Sequence, residues 1–470
     1  MVNTILAAIL GLQMSTPLIS AALIPIPKEV PVLRNRVPHE LGSRSSQLRR
    51  QGADYLHGYD GTQNSSVVIY PMSTDDEFSF ILSEVLSMSN GGGAATSEVL
   101  RAASQIIPGD FDSWFNEFYW LGEQIHAQAL VAKTVVSARE AYFRASTYYR
   151  ISSFFLTGNA SDPRLYRPWQ QALEDFEKAI ALQDVPGVPF NVSGPGYTIP
   201  GYFWRTPKVT KDNSKVPTVI VGSGYDAPQQ DTFHTIGHEV LSRGWNFVTY
   251  EGPGQATTRR QQGIGFTPDW WNVVTPVVGY LAECPDVDME NLALGGLSFG
   301  GLLAPLAASR EPRLKAVLSI DGLVNFQDIL LNDFASLAAV FEAGNVTEFN
   351  SILTDDYSEL PTSAKWGLNQ GLWAFNTDSA FDFINQTGAY TLTPEIIANI
   401  SGYGWVGKGE NDTVAGGQEL ELEALYNKSG QHLGTFHYFA SNVGAGLHTQ
   451  LGAEPQLAEA ALDWLSTIFS

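Results

Sequence analysis

Ala293-Leu294-Gly295-Gly296-Leu297-Ser298-Phe299-Gly300-Gly301 is the stretch that decides the fold of this chain. It holds a G-x-S-x-G element, Gly296 to Gly300, centred on Ser298. Leu292 to Leu294 leads in as a short apolar strand, and Leu302 to Ser309 leads out as a helix. A serine on a tight strand-to-helix turn projects its hydroxyl, and flanking glycines relieve the crowding there. The helix that begins at the turn aims its first N–H groups at charge developing near that hydroxyl. The pattern predicts a nucleophile.

On both sides of this turn, short strands alternate with helices. Pro217 to Val221 reads as a strand broken by Gly222-Ser223-Gly224, and Gln230 to Ser242 as a helix. Trp245 to Tyr250 is the next strand, ending in Glu251-Gly252-Pro253-Gly254-Gln255, and Trp270 to Leu281 the next helix. After the serine turn, Leu314 to Ile320 is a strand that ends at Asp321. This alternation predicts an α/β fold with a mostly parallel sheet and helices on both faces. Leu323 to Ile397 reads as helical pieces without a strong strand, an insertion placed over the strand ends where such sheets bind ligands. The pattern resumes with a strand at Tyr403 to Val406, a helix at Gln418 to Tyr426, a strand at Thr435 to Phe439 and a closing helix from Pro455 to Ile468. Upstream, Phe78 to Met88, Trp114 to Ile125, Ala127 to Phe155 and Trp169 to Ile180 carry apolar residues at helical spacing. The expected division is a helical domain over 75–185 and an α/β domain over 186–470, with the insertion at 323–397.

A serine hydroxyl needs a base within reach, and the base needs an orienting acid. On a sheet of this kind the chain order is serine, then acid, then histidine. His432, His437 and His448 are the histidines that follow Ser298. His437 falls within a strand and His432 in a turn. His448 ends the glycine loop Val443-Gly444-Ala445-Gly446-Leu447-His448 and is the expected base. Asp412, just after the Tyr403 strand, is the expected acid, with Asp321 and Glu410 as rivals; a helix N-cap is its plainer role. The oxyanion of an acyl intermediate needs N–H donors. Phe299 is one expected source, and Gly224, Tyr225 or Asp226 the other. A carboxylate at Asp226 repels an oxyanion, so that side chain either turns away or meets substrate.

Gly222-Ser223-Gly224-Tyr225-Asp226-Ala227, followed by Glu251 at the next strand end, also has the outline of a dinucleotide site. Pro228 and Asp226 stand where a pyrophosphate would approach, so an organic cofactor is not expected, and the serine chemistry requires no metal. Arg259-Arg260 reads as solvated surface charge, with binding of an acidic substrate as the alternative.

Composition narrows the class further. The 470 residues carry a formal net charge of −22, which disfavours a nucleic-acid partner. One cysteine, Cys284, allows no intrachain disulfide and no thiolate cluster. Ile5 to Leu12 is apolar, and Ser20 and Ala22 suit a cleavage site, so residues 1–22 resemble a secretory signal peptide. Residues 23–74 then form a leader or linker containing the dibasic Arg49-Arg50. There are eight N-x-S/T sequons, at Asn64, Asn159, Asn191, Asn345, Asn385, Asn399, Asn411 and Asn427. Export and glycosylation are expected at all but Asn411, where a glycan would crowd Asp412. No later stretch is apolar and long enough to span a membrane. A homodimer is left open.

Taken together, Gly224-Tyr225-Asp226, Tyr250-Glu251-Gly252-Pro253-Gly254-Gln255, Gly296-Leu297-Ser298-Phe299-Gly300-Gly301 and Gly444-Ala445-Gly446-Leu447-His448 resemble a branch of the α/β-hydrolases. That branch includes fungal polyketide-processing enzymes of the naphthopyrone hydrolase type and bacterial dihydroxypseudooxynicotine hydrolase. The helix Ser137 to Ser146 is similar to the branch's N-terminal helical domain. The resemblance runs from about Asp75 to the C-terminus. It implies a nucleophile at Ser298, an acid at Asp412 and a base at His448. It also implies cleavage of carbon–carbon bonds in dicarbonyl or aryl-ketone substrates, or hydrolysis or transfer of esters. The signal-like start and dense sequons depart from relatives that act inside cells. A secreted carboxylesterase or peptidase of the same fold, and a non-catalytic binding protein, are the competing readings.

Overall fold

The computed structural model describes residues 71–207, 215–333, 337–355, 357–429 and 433–469. The signal-like segment, Arg49-Arg50, Asn64 and His432 lie outside them.

Among the described residues five helices come first: α1 (Asp76–Ser87), α2 (Thr96–Ala103), α3 (Phe111–Val131), α4 (Val135–Ser152) and α5 (Arg167–Ala181). Side-chain oxygens satisfy the starts of several. Asp75 accepts from the Phe78 N–H at 2.9 Å, and Asp110 from Asp112 and Ser113. The apolar run from Ala127 to Phe155 is two helices, because Thr134 adopts an extended backbone and caps α4 by accepting from Ser137 N–H. Phe78, Trp114, Phe118, Tyr148 and Phe155 fill the space between these helices. The Trp114 indole N–H donates to the Ile151 carbonyl at 2.9 Å.

The sheet has eight strands among the described residues: β1 (Val188–Gly194), β2 (Tyr197–Trp204), β3 (Val216–Gly222), β4 (Asn246–Tyr250), β5 (Val287–Leu297), β6 (Ala316–Ile320), β7 (Tyr403–Gly409) and β8 (Leu433–Phe439). Their order is β1-β2-β4-β3-β5-β6-β7-β8. The β1–β2 and β2–β4 pairs are antiparallel and the other pairs parallel, giving the expected mostly parallel sheet. The β1–β2 hairpin is an addition to the sequence reading. Its turn is Pro195-Gly196, with Gly196 at φ 83°, and Phe190 and Ile199 turn inward.

Alternate residues feed two cores. Ile220, Leu294 and Val317 pack under helix α8 (Trp271–Ala282) and helix α9 (Gly300–Ala308). Val219, Val221, Ala293 and Leu318 pack against the helix that begins at Gln229 and the C-terminal helix Glu454–Ile468. Helix α6 runs Gln229–Thr232 and His238–Ser242 through a π turn at Phe233–Gly237, and α7 is Ala256–Gln262. Between β6 and β7 the described residues form six helices, from α10 (Phe326–Asp333) through α13 (Thr362–Ala374) to Pro394–Ala398. Two backbone bonds close the insertion at its stem, Phe326 N–H to Tyr390 and Leu392 N–H to Val324.

Candidate active site

Ser298 follows the last residue of β5 and has φ 59°, a left-handed conformation that a side chain adopts at a cost of about 1–3 kcal/mol. Its N–H donates to the Ile320 carbonyl of β6, and its carbonyl accepts from Gly301 N–H at 2.7 Å. The glycines are sterically required. A Cβ on Gly296 would stand 1.9 Å from the Gly300 oxygen, and one on Gly300 would stand 2.6 Å from the Ser223 oxygen.

His448 is 7 % exposed and opens the turn His448–Gln450 after β8, in which Thr449 and Gln450 have left-handed φ. Its Nδ1 bonds the Asp412 Oδ2 at 2.7 Å. The other oxygen, Asp412 Oδ1, accepts from Val414 and Ala415 N–H at 2.8 and 3.1 Å. Asp412 therefore caps a turn with one oxygen and orients the imidazole with the other. Among the described residues His448 Nε2 has no hydrogen-bond partner, and His448 lines the same cavity as Ser298. Burial opposes charge on His448, but the carboxylates of Asp412, Asp321 and Asp226 outweigh it and push the imidazole up to about 9. Burial likewise opposes charge on Asp412, and the facing His448 holds its carboxyl below the ordinary value.

The rivals have other tasks. Glu410 accepts from Ser441 N–H at 2.7 Å, and His437 packs beside Phe439 on β8. Asp321 is fully buried and accepts from Gly409, Thr449 and Gln450. Asp321, Asp412 and His448 are close enough to hold an ion, but hydrogen bonds already occupy the carboxylate oxygens and Nδ1.

The loop after β3 presses on the elbow. A Cβ on Gly224 would meet Leu297 O at 2.9 Å, with Phe299 N and Ser298 Cβ each at 3.2 Å. Gln255, whose part the sequence did not disclose, fixes this loop. Its amide donates to the Ser223 and Gly224 carbonyls at 2.8 and 3.1 Å, and its oxygen accepts from Gly252 N–H. Glu251 is buried and accepts from Gln229 and Thr257 N–H, so the acid of the dinucleotide outline is a structural bolt. Tyr225 turns to the insertion, with its hydroxyl on the Gly367 carbonyl and its own carbonyl accepting from Gln370.

A cavity of about 580 Å³ brings together Ser298, His448, Phe299, Gly224, Tyr225 and Asp226. That volume falls within the range of small-molecule sites. The α1 residues Phe80 and Ile81 and the insertion residues Phe326 and Trp366 supply apolar walls. Glu84, Asp226 and Asp231 also face it. Buried Arg150 bonds both Glu84 and Asp231, tying the helical layer to α6. Burial raises Glu84 to about 8 and Asp231 to about 6 against the pull of Arg150, and burial raises Asp226 as well.

Arg259 and Arg260 differ from their sequence reading as solvated surface charge. Arg260 lies between the Trp169 and Trp373 rings, 4.1 and 4.8 Å from their centroids, and donates to the Leu165 carbonyl. Arg259 donates to the Trp373 carbonyl and Asn376. Both arginines thus join layers of the molecule by cation–π contacts and hydrogen bonds.

A mostly parallel sheet with a left-handed serine turn after β5, and a histidine after β8 bonded to an aspartate after β7, is the arrangement of an α/β-hydrolase. The Esterase FrsA-like family matches residues 109–344, and the chain belongs to it. The alpha/beta hydrolase psoB of Aspergillus fumigatus is 30 % identical over 331 residues, covering 67 % of this chain and 74 % of that one. The 20-hydroxy-prefusarin hydrolase FUS2 of Gibberella moniliformis is 26 % identical over 404 residues, covering 76 % and 95 %. Among solved structures, 2,6-dihydroxy-pseudo-oxynicotine hydrolase matches with a TM-score of 0.63 at 18 % identity, covering 82 % of this chain and 95 % of that one. The chain is thus a hydrolase of the branch its motifs resemble.

Proposed function

We propose that this hydrolase uses Ser298 as nucleophile, His448 as general base and acid, and Asp412 as orienting acid. The observation that carries the reading is the His448–Asp412 bond, with the other imidazole nitrogen unpartnered among the described residues and the ring lining the cavity that Ser298 faces. His448 Nε2 takes the Ser298 Oγ proton as the oxygen attacks a substrate carbonyl. The Phe299 amide and an amide of the Gly224–Asp226 loop stabilise the oxyanion. His448 then returns the proton to the leaving group, an enolate carbon or an alkoxide, and water clears the acyl-enzyme by the same relay.

The substrate class we infer is a small, neutral, aromatic or polyketide-like carbonyl compound, cleaved at a C–C or ester bond. Support comes from the aromatic walls, the carboxyl groups of Glu84, Asp226 and Asp231, and relatives such as 20-hydroxy-prefusarin hydrolase. We also propose an exported, glycosylated enzyme. Asn159, Asn191, Asn345, Asn385, Asn399 and Asn427 are all exposed, which permits glycan attachment. Asn411 is exposed as well, so steric burial does not protect it; adjacency to Asp412 remains the reason to expect it bare.

A fluorophosphonate probe tests the nucleophile. Labelling is expected at Ser298 and absent in Ser298→Ala; labelling that persists in the variant overturns the assignment. Comparing metabolite extracts treated with active enzyme and with Ser298→Ala then identifies the substrate.

A further inference from the structure

Asp321 has no part in the relay above, yet it touches each of its supports. It ends β6, has φ 47° and is fully buried. Its N–H donates to Gly407 of β7 at 3.1 Å, and the residue before it accepts the Ser298 N–H. Oδ1 accepts from Gly409 N–H at 2.9 Å, at the end of the strand that leads to Asp412. Oδ2 accepts from Thr449 N–H at 2.5 Å and from the Gln450 amide at 2.8 Å.

The last two contacts explain an odd piece of backbone. Thr449 and Gln450, directly after His448, both have left-handed φ, 54° and 56°. Neither is a glycine, and two successive side-chain-bearing residues rarely share that conformation. The conformation persists where surroundings over-determine it. Here one carboxylate grips the first residue through its N–H and the second through its side chain. The next residues continue the lock, with Leu451 N–H on His448 and Ala453 N–H on Gln450.

We propose that Asp321 is the positioning residue of this site: its carboxylate clamps the left-handed Thr449–Gln450 pair and so sets the His448 ring between Asp412 and Ser298. This rests on the reading of His448 as base. Charge supports the same role. Ligand atoms of Asp321, Asp412 and His448 lie within 4.8 Å of one another. The groups acting on Asp321 are Asp412, His448 and Glu419, and Glu419 is itself paired with Lys408. Asp412, Asp321 and Asp226 act on His448.

The test compares full-length wild type, Asp321→Asn and Gln450→Ala by two readouts. The first is the imidazole titration of His448 by NMR, which needs no substrate. The second is the rate of fluorophosphonate labelling. Asp321→Asn keeps the shape, presents N–H groups to N–H groups, and removes the negative charge that the carboxyl carries above about pH 8, the range in which His448 titrates. It is expected to move the His448 titration downward by about a unit and to slow labelling by about a hundredfold, the effect of a small displacement at a reacting centre. Gln450→Ala keeps the carboxylate and the Thr449 bond. It is expected to slow labelling by about tenfold while the titration stays. The result that overturns the proposal is an Asp321→Asn protein with wild-type titration and wild-type labelling. If Asp321→Asn is unfolded by circular dichroism, Gln450→Ala decides: unchanged labelling overturns the clamp. Absence of labelling in the wild type overturns the assigned nucleophile instead, while the titration still reads the clamp.

Discussion

Replacing Asp412 by asparagine removes one charge and almost no volume, so it isolates what the carboxylate does for His448. The side-chain oxygen of the new amide would stay with the Val414 and Ala415 N–H groups, where Oδ1 now accepts at 2.8 and 3.1 Å. The amide nitrogen would then face His448 Nδ1, which sits 2.7 Å from Oδ2. Two N–H groups cannot share that contact, so Nδ1 must accept and the neutral ring must carry its proton on Nε2. That tautomer cannot take a proton from Ser298. The expected loss in labelling or turnover is about 10⁴-fold, or about 5 kcal/mol of transition-state stabilisation. The pH profile adds a signed check. His448 is raised from 6.5 to about 9, so the neutral base gains ground only as pH rises toward that value. The acidic limb of the wild-type profile lies above that of free histidine, and in Asp412→Asn it falls. Rates of fluorophosphonate labelling across acid, neutral and alkaline buffers measure both effects. An Asp412→Asn enzyme that labels nearly as fast as wild type, or one whose limb does not move, refutes the assignment of Asp412.

Gly224→Ala places a methyl group 2.9 Å from the Leu297 oxygen and 3.2 Å from Phe299 N. It should destabilise the fold by about 1–3 kcal/mol and slow labelling at least as much as any fall in thermal midpoint suggests. Alkaline solution should destabilise the protein. His448 is raised to about 9 and Asp321 to about 8, so between their ordinary values and these the unfolded chain binds fewer protons. Thermal midpoints should therefore drop as pH rises from the ordinary histidine value of 6.5 to about 9, and Asp321→Asn should flatten the drop. Ester pairs that differ only in a distal carboxylate should be discriminated. Among the described residues the cavity is lined by Asp76, Glu77, Glu84, Asp226 and Asp231 and by no lysine or arginine; Arg150 pairs two of these and burial raises Glu84 to about 8, so the preference for the neutral member should grow as pH rises past about 8. Arg260→Leu keeps apolar bulk between Trp169 and Trp373 but loses the bond to Leu165, and chemical denaturation should show a loss of about 1–2 kcal/mol.

The parts of the site written in contiguous sequence were legible, and those assembled across it were not. Ser298 announces itself because the elbow is a local steric problem, solved by Gly296 and Gly300 on either side of it. The parallel strands show as apolar runs because both faces are covered, by α8 and α9 on one side and α6 and the C-terminal helix on the other. The β1–β2 hairpin was harder to read. Its outer strand β1 is largely exposed with Phe190 buried, the apolar run of β2 is interrupted by Pro200-Gly201, and Pro195-Gly196 was its one clear mark. Gln255 and Asp321 belong to the illegible part. Nothing about an isolated glutamine shows that it will hold Ser223 and Gly224, and an aspartate at a strand end fits the acid role as well as the clamp. The arginine pair misled for a similar reason. Arg260 reads as surface charge until the fold brings Trp169 and Trp373, far apart in sequence, onto its two faces.

Strain in this molecule is gathered at the place where chemistry is proposed. The non-glycine residues with left-handed φ are Ser298, Asp321, Asn376, Thr449 and Gln450 among the described residues. All but Asn376 lie at Ser298, at the end of the neighbouring strand or in the turn that follows His448. Each conformation costs free energy in isolation, so each persists only because bonds on both sides hold it. Ser298 is held by Ile320 and Gly301, and Thr449 and Gln450 by Asp321. The two strained segments meet at one strand end, Ile320-Asp321, where the carbonyl of the first residue accepts from Ser298, the proposed nucleophile, and the carboxyl group of the second accepts from the two residues after His448, the proposed base. A change at this strand end should therefore disturb Ser298 and His448 together. A change at Asp412, which is bonded to His448 and not to the elbow, should alter the base and leave the nucleophile's backbone in place. Comparing the amide chemical shifts of Ser298 and Phe299 in Asp321→Asn and Asp412→Asn separates the two cases, with shifts expected in the first and not in the second.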